Sequence, residues 1–545
     1  MNNHQVINQS PIFQNQNLFE VDIPLQQLLK QPDTNWGIDQ IVDYGALMGD
    51  ERWIKKGFDA NNYSPKFQSH DVKGFRVDAV EFHPAYHDLM ELAIQHQVHA
   101  LPWTSSQKGA HRVRMALYYL HAQNEAGTGC PLTMTFSCVP ALQRNLPQAR
   151  EWIAKITSSH YDGRNVPFFE KKGLTIGMAM TEKQGGTDVR ANTTFAEPLD
   201  KRGNGELYKI TGHKWFCSAP MCDAFLTLAQ TETGLSCFLF PRWKPDGTKN
   251  HFRIQRLKDK LGNQSNASSE IEFDGAHAWL LGEEGRGVPT IIEMVALTRY
   301  DCMIGSSALM RRGLTEVLHH IRHRQVMGKL LIDQPLMQNV VADLCLESTA
   351  ALTLTYRTAL CLENQADTKE QLLLRLLTPI GKYWLTKRAI AFLGEAMECL
   401  GGNGYVEDSI LPRLYREAPV NAIWEGSGNV QCLDVLRAIQ KSPQVLEVFM
   451  AELELATSNN QYFDDFLAHL KQTLQGLEVF NARKITEMLA LGMQAAQLIL
   501  HGDANIAKAF CKTRLQGSGM LMFGGLDDAN LANAVLDASF VKPFA

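Results

Sequence analysis

Several familiar motifs are missing from this 545-residue chain, and each absence narrows the range of functions. No GxGxxG, GxxxxGK[ST] or GxSxG sequence occurs, so dinucleotide-binding, P-loop and nucleophile-elbow functions lose their usual sequence support. No run of about 20 apolar residues is present, so we expect no membrane span. The polar beginning of the chain, rich in Asn and Gln, lacks the basic and apolar regions of a secretory signal.

Paired cysteines and an excess of charge are missing as well. The eleven cysteines are scattered without a CxxC pair, which favours free, buried thiols and a cytoplasmic location. Lys and Arg total 53 against 58 Asp and Glu, so the whole chain carries no electrostatic signature of nucleic-acid binding. His83 and His87 stand four residues apart, but Pro84 indicates a helix start and no HExxH glutamate is present, so we predict no metal site.

The hydrophobic periodicity changes twice along the chain. We expect an irregular arm up to residue 40, followed by helices to about residue 161. Short apolar alternations separated by turn residues then predict an antiparallel β domain, and the helical period returns after Gly287. The predicted domains are 1–173 (arm and α-helical domain), 174–280 (β domain), 281–441 (helical domain) and 442–545 (α-helical extension). This α, β, α order argues against Rossmann and TIM folds.

Three glycine-containing patches hold the candidate functional residues. The first, Met178–Asp188, follows the first strand of the β domain, where glycines let the backbone approach a ligand or simply make a tight turn. In the second, Trp215 on a strand can stack on a flat ring or fill a core. In the third, Glu425 lies between Trp424 and a Gly-Ser-Gly turn. It is either an ordinary residue at the start of a helix or a general base in an apolar pocket.

Taken in order, these patches closely resemble the acyl-CoA dehydrogenase family. The matching segments are Met180–Asp188, Trp215–Ser218, Arg324–Gly328 (RQVMG), Gly401–Tyr405 and Glu425–Ser427. The resemblance covers about 75–441. Within the family, the chain is most similar to the flavoproteins of the adaptive alkylation response, and the N-terminal arm and the C-terminal extension fit that subgroup.

The resemblance implies a fold and a cofactor. The family fold is multidomain α+β, with an N-terminal α domain, a central antiparallel β domain and a C-terminal four-helix bundle, here placed at 281–441. Residues 442–545 would be an extra α-helical extension, and the assembly would be a homotetramer. The cofactor would be FAD, bound by Met178, Ala179, Met180, Thr181, Glu182, Gly185, Gly186, Thr187, Trp215, Phe216, Cys217, Ser218, Arg324, Gly401, Gly402, Ile423, Trp424, Gly426, Ser427, Gly428 and Asn429.

The resemblance also implies an activity. Glu425 would be the catalytic base that removes the α-proton of an acyl-CoA, while the β-hydride passes to the flavin N5. Thr181, Ser218, Arg299 and Asn429 would contact the substrate, and an electron-transfer flavoprotein would accept the electrons. The sequence departs from the family at Met327, where RxxFG has Phe.

The same subgroup implies an alternative function, the binding of double-stranded DNA through the C-terminal extension. Residues 442–545 contain seven basic and eleven acidic residues, a net charge of −4. Because DNA affinity depends on Lys and Arg that neutralise phosphates, this acidic segment disfavours a general DNA clamp. A local basic ridge remains open as an alternative, formed by Arg437, Arg483, Lys484, Lys508, Lys512 and Arg514.

Overall fold

The structure is a computed structural model that describes residues 3–516 and 521–540. Gly517, Gly519 and Lys542, which belong to the predicted C-terminal extension, lie outside these ranges.

Helices make up most of the described chain. They are α1 (Ile23–Leu29), α2 (Ile38–Gly49), α3 (Glu51–Asn62), α4 (Pro84–Gln95), α5 (Leu101–Thr104), α6 (Ala110–Asn124), α7 (Gly129–Asn145), α8 (Ala149–Ile156), α9 (Gly287–His323), α10 (Pro335–Glu363), α11 (Thr368–Cys399), α12 (Gly402–Tyr405), α13 (Leu411–Asn421), α14 (Gly428–Lys441), α15 (Pro443–Glu454), α16 (Gln461–Leu474), α17 (Ala482–His501), α18 (Ala504–Leu515) and α19 (Ala529–Ser539).

Several helices begin where the sequence indicates a start. Proline is favoured at the first helical position because its missing N–H would have no partner there. Pro84, Pro335 and Pro443 begin α4, α10 and α15 in this way. His83 caps α4, since its Nδ1 accepts a hydrogen bond from the Ala85 amide at 3.2 Å.

The strands form one large sheet and two small ribbons. They are β1 (Lys66–His70), β2 (Arg76–Glu81), β3 (Ile176–Ala179), β4 (Phe195–Pro198), β5 (Leu207–Ser218), β6 (Ala224–Thr231), β7 (Gly234–Pro241), β8 (Phe252–Leu257), β9 (Ser268–Leu281), β10 (Gln325–Val326) and β11 (Lys329–Leu330). The seven-stranded sheet has the order β3-β6-β4-β5-β9-β7, with β8 paired to β9 and β7 also paired to β6.

Three local expectations from the sequence are wrong. Residues 66–81 form the antiparallel pair β1–β2 instead of helix, because this short ribbon is largely exposed and lacks a clear apolar period. The arm up to residue 40 is not wholly irregular, since it contains α1. The β domain is mixed instead of purely antiparallel, because β3 and β4 both run parallel to β6.

The chain divides into two compact units that do not follow the order of the sequence. One unit, here called the sheet unit, comprises residues 52–106 and 125–301 and contains the large sheet. The other, the helical unit, comprises residues 1–51, 107–124 and 302–545 and contains most of the long helices. In the helical unit, α10 and α11 pack on each other, and α11 also packs on α13, α14, α15 and α17.

Each unit has its own apolar core. In the sheet unit, Phe225, Phe238 and Phe240 of the central strands are at most 1% exposed. In the helical unit, the facing sides of α10 and α11 are buried in the same way, for example at Leu344 and Leu385. No helix among residues 3–516 and 521–540 has both the length and the apolarity to cross a membrane.

Candidate functional site

The candidate residues fall into two sets, one in each unit. Met178–Thr187, Trp215–Ser218 and Arg299 belong to the sheet unit. Arg324, Gly401, Gly402 and Ile423–Asn429 belong to the helical unit.

In the sheet unit, the first two sequence patches lie side by side. Met178 and Ala179 are buried in β3, and the chain leaves the sheet at Met180 and Thr181. The Trp215 amide donates a hydrogen bond to the Thr181 carbonyl oxygen at 2.8 Å. Residues 34 positions apart along the chain are therefore joined in the β domain.

Glu182 differs from the other residues of its patch because it forms a buried ion pair. Its carboxylate is completely buried and accepts a bond of 2.8 Å from Lys214 Nζ, which is itself buried. It also accepts bonds from the Thr193 amide at 2.7 Å, from Gln184 Nε2 at 2.8 Å and from the Thr194 amide at 3.2 Å. Glu182 therefore joins the loop after β3 to the beginning of β4 and to β5.

The charge of this pair follows from its contacts. Burial by itself raises the pKa of Glu182, but the Lys214 ammonium and the hydrogen bonds outweigh burial and lower it to about 2. Burial lowers the pKa of Lys214, and the Glu182 carboxylate opposes that shift. Sequence reasoning overlooked Lys214, although strand alternation places it on the same face as the buried Tyr208 and Ile210.

The loop that follows Glu182 has open amide groups. Gly185 has φ +132°, and its amide donates to the Glu182 carbonyl oxygen at 3.0 Å. A Cβ atom at Gly186 would lie 2.4 Å from Thr181 Oγ1, so only glycine fits without moving Thr181. Within the described residues, no protein acceptor lies against the Gly186 and Thr187 amides. Two adjacent free N–H groups of this kind can bind a phosphate oxygen.

Trp215 and Phe216 sit in a β-bulge. The β5–β9 register shifts between Lys214 and Cys217, which takes these two aromatic residues out of regular pairing. Phe216 is 49% exposed, and Lys258 Nζ lies 3.3 Å from the centroid of the Trp215 ring. Lys258 also pairs with Glu270 at 2.6 Å, so the bulge presents an aromatic surface with a paired cation over one ring.

The remaining candidate residues of the sheet unit, Cys217, Ser218 and Arg299, are less exposed than Phe216. Cys217 is fully buried, and burial raises the pKa of its thiol, which disfavours the reactive thiolate form. Ser218 Oγ lies 3.0 Å from Ser268 Oγ. Arg299 is 9% exposed on α9, and the neighbouring Thr298 is buried with its hydroxyl donating to Val295 O at 3.0 Å.

In the helical unit, Glu425 occupies a strained turn. Its φ is +58°, in the left-handed region that residues other than glycine rarely adopt, and Gly426 follows with φ +96°. Lys382 Nζ donates to the carbonyl oxygens of Trp424 at 2.8 Å and Gly426 at 2.5 Å. Gln431 Nε2 donates to those of Glu425 at 3.1 Å and Gly426 at 2.8 Å.

Both donors are buried, so the turn is held in place by hydrogen bonds from the protein interior. Lys382 is 1% exposed and Gln431 is fully buried. Together they bind three consecutive carbonyl groups and thereby set the direction of the Glu425 backbone. Sequence reasoning did not identify either residue; the signal for Lys382 is a lone charge inside an otherwise apolar stretch of α11.

The turn leads directly into α14. Ser427 is the N-cap residue of this helix, but its side chain makes no capping bond. The amides of the first turn of a helix have no partner within the helix and attract negative charge. A Cβ atom at Gly428 would lie 2.6 Å from Lys387 Cε, so any other residue there would have to displace the end of the Lys387 side chain. Ile423 and Asn429, on either side, are exposed.

Arg324 is in contact with the N-terminal arm. Its Nη1 donates to the Asn8 carbonyl oxygen at 2.5 Å. The hairpin that follows turns through Met327 and Gly328, which have φ +51° and +77°, and Met327 is 95% exposed. Gly401 has φ +60°, and a Cβ atom at Gly401 or Gly402 would meet nothing within 4 Å.

The proposed basic ridge is partly neutralised. Arg514 forms ion pairs with Asp343 and Glu347. Lys512 pairs with Asp527 at 2.6 Å, and Arg483 Nε donates to the Tyr383 hydroxyl at 3.3 Å. The other three cations are exposed and, in the described parts of the chain, have no ion pair: Arg437, Lys484 and Lys508.

Family models match most of the chain. The N-terminal domain of adaptive response protein AidB matches residues 8–163. The middle domain of acyl-CoA dehydrogenases matches residues 177–276, and their C-terminal domain matches residues 285–440.

Individual relatives agree with these matches. The chain is 43% identical over 518 residues to "Putative acyl-CoA dehydrogenase AidB" of Escherichia coli, covering 95% of each chain. It is 29% identical to acyl-CoA dehydrogenase family member 11 of Caenorhabditis elegans, covering 88% of this chain and 78% of the relative. The solved structure of C. elegans ACDH-11 in complex with C11-CoA superposes with a TM-score of 0.85 at 26% identity, over 99% of this chain and 94% of that one. The chain belongs to the acyl-CoA dehydrogenase family, and it carries the N-terminal domain of the adaptive response protein AidB.

Proposed function

We infer that this protein is an FAD-dependent acyl-CoA dehydrogenase in which Glu425 is the catalytic base. The observation that carries the proposal is the turn at Glu425, a left-handed non-glycine residue whose neighbouring carbonyl groups are bound by the buried Lys382 and Gln431. Such strain costs about 1–3 kcal/mol and persists at sites where it serves a function. Family membership and the C11-CoA complex of ACDH-11 support the same assignment.

Each set, taken by itself, contains groups that suit a part of FAD. The free amides of Gly186 and Thr187 suit a phosphate, and the Trp215–Phe216 bulge offers an aromatic surface to a flat ring. The open amides at the start of α14 can meet further oxygen atoms of the cofactor. When bound, FAD supplies the hydride acceptor for the oxidation of the substrate.

Glu425 would act as the general base of the reaction. Its carboxylate takes the α-proton of the acyl thioester, the β-carbon loses a hydride with its electron pair, and a Cα=Cβ double bond forms. The Glu425 amide would donate to the thioester oxygen, on which negative charge develops. Because Lys382 and Gln431 fix the backbone of the turn, the Glu425 amide needs little reorganisation during the reaction.

Flavin reduction tests this assignment. The purified protein should be yellow with an FAD spectrum, and a panel of acyl-CoA thioesters added without oxygen should bleach it. Glu425→Gln should keep the FAD and lose bleaching, whereas Glu447→Gln, at an exposed glutamate of α15, should bleach like the wild type. A colourless protein that cannot be reconstituted, or normal bleaching in Glu425→Gln, would contradict the proposal.

A homotetramer and an electron-transfer flavoprotein complete the proposal. Exposed apolar side chains of the helical unit support self-association, among them Val6, Ile7, Met327 and Leu336. Light scattering after size exclusion would give the mass of the assembly. Reduction of an added electron-transfer flavoprotein during acyl-CoA turnover would identify it as an acceptor.

The alternative function is double-stranded DNA binding in the response to alkylation damage, with little or no dehydrogenase turnover. The match to the AidB domain favours it, and the exposed cations Arg437, Lys484 and Lys508 are the available contacts. Because Arg514 and Lys512 are already paired, we expect weak, salt-dependent DNA retention. Lys508→Glu with Lys484→Glu should abolish retention, and retention unchanged in this variant would exclude the ridge.

A further inference from the structure

The N-terminal arm binds to the rest of the helical unit through a dense set of polar contacts between residues 8–11 and residues 319–325. Asn8 makes a reciprocal pair of bonds with Gln325, in which Nδ2 donates to Gln325 O at 2.8 Å and the Gln325 amide donates to Oδ1 at 2.7 Å. Ser10 Oγ lies 2.9 Å from His320 Nδ1, and His319 Nε2 lies 2.8 Å from Pro11 O. Residues 8–11, here called the clip, thus join parts of the chain more than 300 positions apart.

The clip touches two segments that the resemblance assigns to the binding of FAD. On one side, the Asn8 carbonyl oxygen accepts the bond from Arg324 Nη1. On the other side, Asn403 Nδ2 in the glycine loop lies 3.4 Å from Gln9 Oε1. One short segment therefore contacts the RQVMG hairpin and the Gly401–Tyr405 loop together.

The bond to Asn8 leaves Arg324 positioned but not neutralised. A guanidinium has five N–H donors, and the described residues provide a partner for one of those of Arg324. No carboxylate among these residues pairs with Arg324, so its charge remains available to an anion. An arginine held by a neutral carbonyl group loses side-chain freedom before it binds, which lowers the entropic cost of binding.

The backbone conformation of Asn8 is unusual and supports a role of this residue in holding Arg324. Its φ is +55°, and asparagine tolerates this left-handed conformation better than most residues other than glycine. That conformation accompanies a side chain bonded to Gln325 and a carbonyl oxygen bonded to Arg324.

We propose that the clip is a positioning element of the cofactor site, in which Asn8 holds the Arg324 guanidinium in place for a phosphate group of FAD. The proposal rests on the proposed function, because it requires that the protein binds FAD. Asn8 itself need not touch the cofactor; it acts through Arg324.

FAD affinity of the reconstituted full-length protein tests the clip. Asn8→Ala keeps the carbonyl group that binds Arg324 but removes the two side-chain bonds to Gln325 that hold this carbonyl group in place, and it should weaken FAD binding by about tenfold. Asn8→Gly, which keeps the left-handed backbone accessible, should weaken it as much, because both changes remove the bonds to Gln325. Gln5→Ala, at an exposed residue of the same arm, should bind FAD like the wild type.

A double-mutant cycle separates positioning from a general structural effect. Arg324→Gln should weaken FAD binding, and Asn8→Ala added to it should cause little further loss, because the clip acts through Arg324. Thermal midpoints of all variants should remain close to that of the wild type.

The possible outcomes are distinct. A wild-type protein that binds no FAD would overturn the proposed function and, with it, this inference. If the wild type binds FAD, three results would overturn the clip alone: unchanged or tighter binding in Asn8→Ala, recovery in Asn8→Gly, or an equal loss in the Arg324→Gln background. Tighter binding would mean that the arm blocks Arg324.

Discussion

The buried Lys214–Glu182 pair provides a strong test of how the sheet unit is held together. Lys214→Met removes one charge and leaves the Glu182 carboxylate buried without its counter-ion. Removing one partner of a buried ion pair costs about 3–5 kcal/mol. Because Glu182 would still accept bonds from Gln184, Thr193 and Thr194, we expect the lower end, about 3 kcal/mol.

This magnitude converts into a measurable change in thermal stability. A domain of about 150–250 residues shifts its melting temperature by about 2–4 °C per kcal/mol, so the sheet unit should melt about 6–12 °C lower. Differential scanning calorimetry with circular dichroism would measure it. Lys471→Met is the matched control, since Lys471 forms a half-exposed pair with Glu454 and should cost less than about 1 kcal/mol.

Two further measurements follow from the same pair. Adding Glu182→Gln to Lys214→Met should recover much of the loss, because the unpaired buried charge is removed. In the wild type, the pKa of Glu182 is lowered to about 2 from 4.5, so its stabilising contribution is complete above about pH 4.5 and is lost as the pH falls towards 2. A Lys214→Met protein within about 1 kcal/mol of the wild type, or a double variant no more stable than the single one, would refute the reasoning.

Three other predictions concern the remaining site elements. Lys382→Met should loosen the turn at Glu425 and lower the rate of flavin reduction by about 100-fold while FAD remains bound; an unchanged rate in stopped-flow measurements would contradict this. Gly186→Ala should displace the Thr181 side chain and weaken FAD binding by about tenfold, whereas Gly476→Ala, at an open glycine, should not; equal titrations for both would count against the loop. All eleven cysteines are buried, so a thiol reagent should label almost none in the native protein and all of them in guanidinium; rapid labelling of the native protein would disagree with this burial.

Much of the helical architecture could be read from local pattern. The helical period that the sequence shows after Gly287 corresponds to the long helices α9 and α10. Their periodic apolar residues repeat over many turns, which makes the signal strong. The β1–β2 ribbon was missed because it is short and mostly exposed, so its sequence carries no comparable apolar pattern.

The sequence by itself determined the family and the candidate base, because motifs such as Met180–Asp188 and Glu425–Ser427 are short, continuous segments that can be recognised without the tertiary structure. Tertiary structure alone decided which side chains act as supports. Glu182 reads as a cofactor residue in the sequence but is bonded to Lys214, and Arg324 is bonded to Asn8. Such contacts join residues 32 and 316 positions apart, and neither propensity nor local periodicity contains that pairing. It arises only when strands and helices pack and place the buried charges and carbonyl groups within hydrogen-bonding distance.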